Sequence, residues 1–221
     1  MKLKFLIMVS LESLLSSYEK LQSSIRERLA EFATVGREAD DKRLFEELAY
    51  CIFTAGASAR MGLKSVAAVK DILLEATVEQ LEAALRGVHR YPRARADYLV
   101  RTRSYLVEDC GLGLRQKLES FSDAQACRDY FAANKQVVGV GYKEASHFLR
   151  NIGKRGYAIL DRHVLRCLSE LGVVSTPQPP ANRSRYLEIE QLMKRFAEQV
   201  GIDFDELDLL LWSQITGEVL K

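Results

Sequence analysis

No apolar run in this 221-residue chain approaches the roughly 20 residues that a membrane span requires, so no membrane partner is expected. The first fifteen residues, MKLKFLIMVSLESLL, begin with lysines and a short apolar stretch in the manner of a signal peptide. Glu12 interrupts that stretch and no small-residue cleavage site follows, so secretion is not expected; Met8 could serve as a start as well as Met1. Cysteines are few: Cys51, Cys110, Cys127 and Cys167 lie far apart and make no CxxC pair. That pattern argues against structural zinc and a disulfide framework and fits a reducing, cytoplasmic setting. Net charge is nearly absent as well, with 32 Lys and Arg against 30 Asp and Glu. Any affinity for nucleic acid must therefore come from local patches and not from the total.

Strand alternation is equally scarce. The best candidate is YAIL at 157–160, only four residues long. Helical periodicity is everywhere else. Residues 10–34 carry Leu11, Leu14, Leu15, Tyr18, Leu21, Ile25, Leu29 and Phe32 at three- and four-residue spacing, the pattern of one amphipathic helix. Residues 42–54, 59–75, 78–86, 95–109 and 123–133 repeat it between Gly, Pro or Asp-rich breaks, and further helices are expected near 162–171, 183–200 and 204–216. The fold class is all-α. Three of the four prolines fall in STPQPPANRS, residues 175–184, which reads as a surface loop before the last two helices.

One segment breaks a local rule. In VGVGYKEASHFLRNIG, residues 138–153, the turn Gly139-Val140-Gly141 leads into a helix marked by Ala145, Phe148, Leu149 and Ile152. Lys143 stands just inside its start, where the macrodipole disfavours a cation by ~0.3–1 kcal/mol. Gly-x-Gly turns let another backbone approach closely, and N–H groups at a helix start suit a phosphate. This is the pattern of a helix-hairpin-helix DNA-binding element, here spanning about 134–151, although a plain interhelical turn uses glycines in the same way.

Eighteen residues beyond Lys143, Asp161 follows the apolar YAIL run and precedes the helix RHVLR. Its ordinary role would be an N-cap. His163 by itself reads as a packed core histidine.

Together, Gly-x-Gly-x-Lys and Asp-x-His-x-x-Arg at this spacing resemble the helix-hairpin-helix DNA glycosylase superfamily. GVGYKEASHFLRN and AILDRHVLR are most similar to its archaeal-type 8-oxoguanine DNA glycosylase/lyase family. ELAYCIFTAGASA (47–59), HRYPRARADYLV (89–100) and LLLWSQITGEVLK (209–221) extend the likeness over most of the chain beyond about residue 40. Two features set the chain apart from other branches: no cysteine follows Cys167, where related endonucleases hold an iron–sulfur cluster, and there is no room for the N-terminal β-rich domain of eukaryotic-type relatives. Gly56 also occupies a position in TAGASA where a polar residue is expected.

The resemblance implies a single two-lobed unit over residues 1–221, with the N- and C-terminal helices sharing one lobe and the active site in the cleft beside the hairpin. It implies a monomeric repair enzyme of the cell interior, associated with the nucleoid when on DNA. Its partner would be double-stranded DNA containing 8-oxoguanine, and its chemistry would need no metal or cofactor. Lys143 and Asp161 would be catalytic. Gly139, Gly141, His163, Trp212, Lys221, Arg90 and Arg93 would contact DNA or the flipped base.

A lysine amine can displace the base at C1′ and leave an imine on the deoxyribose, provided it is neutral. Bringing a lysine from its usual 10.4 to near 7 takes roughly 4 kcal/mol of differential destabilisation of the ammonium. Asp161 would stabilise charge growing on the sugar or help deprotonate Lys143. Trp212, the only tryptophan, reads either as a core aromatic or, following the resemblance, as a stacking surface for the extruded base. Arg86, Arg90, Arg93, Arg95, Arg101 and Arg103 lie in a stretch with a single acid, Asp97, which suggests contacts to the DNA backbone as readily as a solvated face. Lys221 would help separate 8-oxoguanine from guanine. The alternatives are a glycosylase/lyase for another oxidised base and a non-catalytic DNA-binding hairpin module; phosphate binding alone requires neither Lys143 nor Asp161.

Overall fold

The helical periodicity is realised almost throughout. The computed structural model describes residues 9–220, which form eleven α-helices and, among the described residues, no strand. They are α1 (Leu11–Glu38), α2 (Asp41–Thr54), α3 (Ala59–Val69), α4 (Val78–Leu85), α5 (Pro92–Cys110), α6 (Leu114–Glu119), α7 (Ala124–Ala132), α8 (Tyr142–Asn151), α9 (Arg162–Glu170), α10 (Arg183–Val200) and α11 (Phe204–Thr216). None of them is long and apolar enough to cross a bilayer, among the described residues. Two compact units result. One comprises Phe32–Lys154; the other combines the chain up to Glu31 with the chain from Arg155 onward.

In the Phe32–Lys154 unit, α2 is the core helix. Every residue from Leu44 to Thr54 is buried, so this helix is covered all round, with α3, α5, α6 and α8 packed on it. Two acids lie within that burial, Glu46 and Glu47. Arg43 donates to both, at 2.9 and 2.6 Å, and Asn151 of α8 donates to Glu47 at 3.2 Å. These bonds offset the cost of taking carboxylates out of water and tie the far end of α8 to the core helix.

One expectation needs correction here, and one helix was not among those expected. The 59–75 helix ends at Val69, because residues 70–76 turn to offer carbonyls to α5: the buried Arg103 guanidinium donates to Leu73 O at 2.8 Å and to Ala76 O at 2.7 Å. In addition, α6 went unread. Its six residues, with Leu114 and Leu118 inward, are too short to display a period. Tertiary bonds fix it instead: Asp41 Oδ1 accepts from Arg115 N at 2.7 Å, and the Arg115 guanidinium donates to Gly36 O and Ala39 O.

In the other unit the YAIL segment belongs to no helix and pairs with no strand. Side chains from α10 and α11 supply the partners that a sheet would have given. Glu190 accepts from Ala158 N (2.9 Å), Asp208 from Ile159 N (2.9 Å), and the Tyr186 hydroxyl from Leu160 N (3.3 Å) while donating to Ala158 O (2.7 Å). Asp205 accepts from Gly156 N at 2.9 Å. Buried carboxylates and buried backbone donors thus satisfy one another. These bonds fix the backbone that leads into Asp161.

Candidate active site

The hairpin is held from outside itself. Thr102 of α5 clamps it: its hydroxyl accepts from Val138 N at 2.8 Å and donates to Val138 O at 3.2 Å. Gly139 has φ +80°, and a Cβ there would lie 2.6 Å from the Tyr98 ring. Only glycine fits both the backbone and the space. Gly141 differs. Its φ is −98°, and an added Cβ would meet nothing closer than Glu144 Oε2 at 3.4 Å. The fold does not require glycine at 141.

Gly141 is the N-cap of α8 and offers no side chain to cap it. Glu144, the third residue of the helix, reaches back so that its Oε2 accepts from Gly141 N at 3.2 Å, which is half of a capping box. The Gly141 N–H, expected to face a phosphate, is thus occupied by a carboxylate. Lys143, the second helical residue, has its Nζ 3.3 Å from Glu144 Oε1, and its side chain is 24% exposed. The α2 thiol of Cys51 is pushed up, first by burial and then by Glu47; Lys143 opposes this, Glu144 adds to it and Arg150 opposes it.

On the other unit, Asp161 is the N-cap of α9. A single oxygen, Oδ1, accepts from both His163 N and Val164 N at 2.8 Å each. Oδ2 therefore has no part in the cap. The capping role expected of any Asp here and a free charged oxygen coexist in one residue. His163 follows directly; burial pushes its imidazole down, Asp161 partly restores it, and Arg162 and Arg166 push it further down. Arg162 Nε donates to His163 Nε2 at 3.3 Å. Trp212 is half-buried on α11, where Leu207, Leu209, Leu210 and Leu211 form the buried face. Lys221 lies outside the described residues.

The arginine stretch divides. Arg95 and Arg103 are structural: the Arg95 guanidinium donates to Ala55 O, the carbonyl that ends α2, and burial pushes it down. Arg93 and Arg86 meet acids of α4 that the local sequence conceals. Arg93 lies 3.0 Å from Glu82 and 3.8 Å from Glu79, and Arg86 lies 3.1 Å from Glu82, whose carboxyl these two arginines hold low. Arg101 sits 3.7 Å from Asp97. Arg90 is exposed, with its guanidinium 4.7 Å over the Tyr91 ring. The turn beneath it is pinned by buried His89, whose Nε2 bonds Phe53 O at 2.9 Å and whose Nδ1 accepts from Tyr91 N at 3.0 Å. Gly56 has φ +71° with open space around it, so its backbone explains the residue.

Residues 25–202 match the 8-oxoguanine DNA glycosylase family. The chain belongs to that family. Similar curated relatives are the 8-oxoguanine DNA glycosylase/AP lyase of Korarchaeum cryptofilum, 39% identical over 91% of this chain and 92% of its own length, and that of Methanocaldococcus jannaschii, 36% identical over 94% and 99%. The crystal structure of the M. jannaschii 8-oxoguanine glycosylase/lyase in complex with a 15mer DNA containing 8-oxoguanine is similar at a TM-score of 0.84, with 34% identity, covering 94% of this chain and 99% of that one. The 8-oxoguanine DNA glycosylase of Thermotoga maritima gives 0.85, with 33% identity, covering 95% and 97%.

For a glycosylase of this family, the residues that sequence reasoning missed are those that support the hairpin: Tyr98 and Thr102, whose neighbours in sequence say nothing of it, and Glu144. Glu144 carried a signal, since an acid three residues after a helix start is half of a capping-box signature.

Proposed function

We propose that this enzyme excises 8-oxoguanine from double-stranded DNA and cleaves the abasic product, acting as a monomer in the cell interior and at the nucleoid when on DNA. The observation that carries this reading is Lys143 at the second position of α8, behind the Gly139–Gly141 turn, in a chain of the 8-oxoguanine DNA glycosylase family. Four free cysteines, three of them buried, fit a reducing compartment.

The lesion nucleotide must leave the stack before its C1′ can be reached. The neutral Lys143 amine then attacks C1′; the C–N bond to the base breaks and the base departs with a proton. Opening of the sugar gives a protonated imine on Nζ. Loss of a C2′ proton follows, the C3′–O bond breaks, and the 3′ phosphate leaves. Water hydrolyses the imine and restores Lys143. Asp161 serves this sequence through Oδ2, the oxygen its cap does not use, as a fixed anion for the positive charge that grows on the sugar. Trp212 and His163 contribute to the base pocket, and Arg90 contacts the DNA backbone.

The test is a duplex carrying one 8-oxoguanine, followed for both products. Free 8-oxoguanine and an alkali-independent nick at the same position are expected. Release of the base with an intact strand would remove the lyase half, and inactivity on 8-oxoguanine beside activity on another oxidised base would change the substrate.

A further inference from the structure

Lys143 and Glu144 are adjacent in a helix, and adjacent helical residues ordinarily diverge. Here they meet, Nζ to Oε1, at 3.3 Å. The reason is the cap. Because Oε2 accepts from Gly141 N at 3.2 Å, the Glu144 side chain is drawn back over the first turn, where the Lys143 chain also lies. Both side chains are largely shielded, at 24% and 17% exposure. The same carboxylate is felt by Arg95 of α5 and by the Cys51 thiol of α2, on which Glu47 and Arg150, toward the far end of α8, also act.

We propose that Glu144 is a positioning residue for the nucleophile: one oxygen is anchored to the hairpin backbone while the other holds the Lys143 amine and takes its first proton. In that step a Lys143 N–H bond breaks and an O–H bond forms on Oε1, leaving a neutral amine beside a neutral carboxyl. The inference rests on the reading of Lys143 as nucleophile. It also accounts for a cation at a helix start: the neighbouring carboxylate neutralises what the macrodipole disfavours. A cap needs only one acceptor, and Gln would serve there as well as Glu. The charge on the second oxygen therefore calls for a separate explanation, and the amine supplies it.

The experiment is single-turnover borohydride trapping on a duplex with a preformed abasic site, measured across pH for wild type, Glu144→Gln, Glu144→Asp and Lys143→Gln. Gln keeps the cap and loses the anion. Its plateau should fall about tenfold and its acidic limb should move to lower pH, since an ammonium without its counter-ion loses its proton more readily. DNA affinity should stay within threefold. Asp keeps a negative charge nearby and loses the reach, so its limb should move less than that of Glu144→Gln while its plateau falls about fivefold. A purely structural Glu144 would lower the melting temperature and leave the limb of Glu144→Gln unmoved, which overturns the proposal. If Glu144→Gln melts below the assay temperature, a wild-type plateau in Glu144→Asp overturns it instead. Trapping that survives in Lys143→Gln would be a different failure, that of the nucleophile assignment itself.

Discussion

The starts of α8 and α9 solve the same problem in opposite ways. Each must satisfy N–H groups that a helix leaves unpaired. At α9 the cap residue does this itself, Asp161 Oδ1 taking two N–H groups. At α8 the cap residue is Gly141, which has no side chain, and the carboxylate comes from three residues inside the helix. The second arrangement is the weaker cap, yet it leaves the turn bare for the approach of another backbone and places an acid against Lys143. A glycine where the backbone does not demand one, and a lysine where the dipole opposes one, occur at the same helix start. Local rules fail together where function is expected.

The contrast predicts that charge at α9 can be removed without removing the cap. Asp161→Asn should reduce base excision at least about a hundredfold while costing no more than ~1 kcal/mol of stability, checked by single-turnover assay and chemical denaturation. A variant that loses both in proportion would make Asp161 only a cap. At α8 the two glycines should separate. Gly139→Ala forces a left-handed backbone and drives a methyl into the Tyr98 ring, so about 2 kcal/mol or more should be lost. Gly141→Ser completes the capping box, so stability should hold within about 0.5 kcal/mol while DNA affinity falls several-fold. If Gly141→Ser binds DNA as well as wild type, the bare turn has no bearing on DNA. The smallest effect concerns the arginines. Arg90→Ala should reduce the magnitude of the log Kd against log salt slope by about one, whereas Arg93→Ala, already engaged by Glu82 and Glu79, should change it less. Equal effects from the two would dissolve the distinction.

Elements long enough to show a period were legible from sequence, and α10 and α11 begin and end where their patterns do. What escaped was decided by tertiary bonding. The end of α3 depends on Arg103, which bonds carbonyls 30 and 27 residues before it, and α6 on Arg115 reaching back to the segment before α2. YAIL, the best candidate for a strand in a chain read as all-α, finds its partners in side chains from helices that follow it. Of the proposed site, Lys143 and Asp161 were the residues the sequence singled out, because spacing and residue type together resemble the family pattern. The arginines could not be sorted, since the stretch 86–103 holds one acid while the acids that engage Arg86 and Arg93 belong to the preceding helix. Composition reports charge in a window; pairing depends on which faces meet.

The central claim is that Lys143 forms the covalent bond to DNA. The most direct measurement is borohydride reduction of the wild-type enzyme on 8-oxoguanine duplex, followed by proteolysis and mass mapping of the adduct, with Lys143→Gln in parallel. The reduced sugar should be found on Lys143, and the variant should yield no adduct while still binding the duplex within a few-fold of wild type. An adduct on any other amine, or undiminished trapping in Lys143→Gln, would contradict the account.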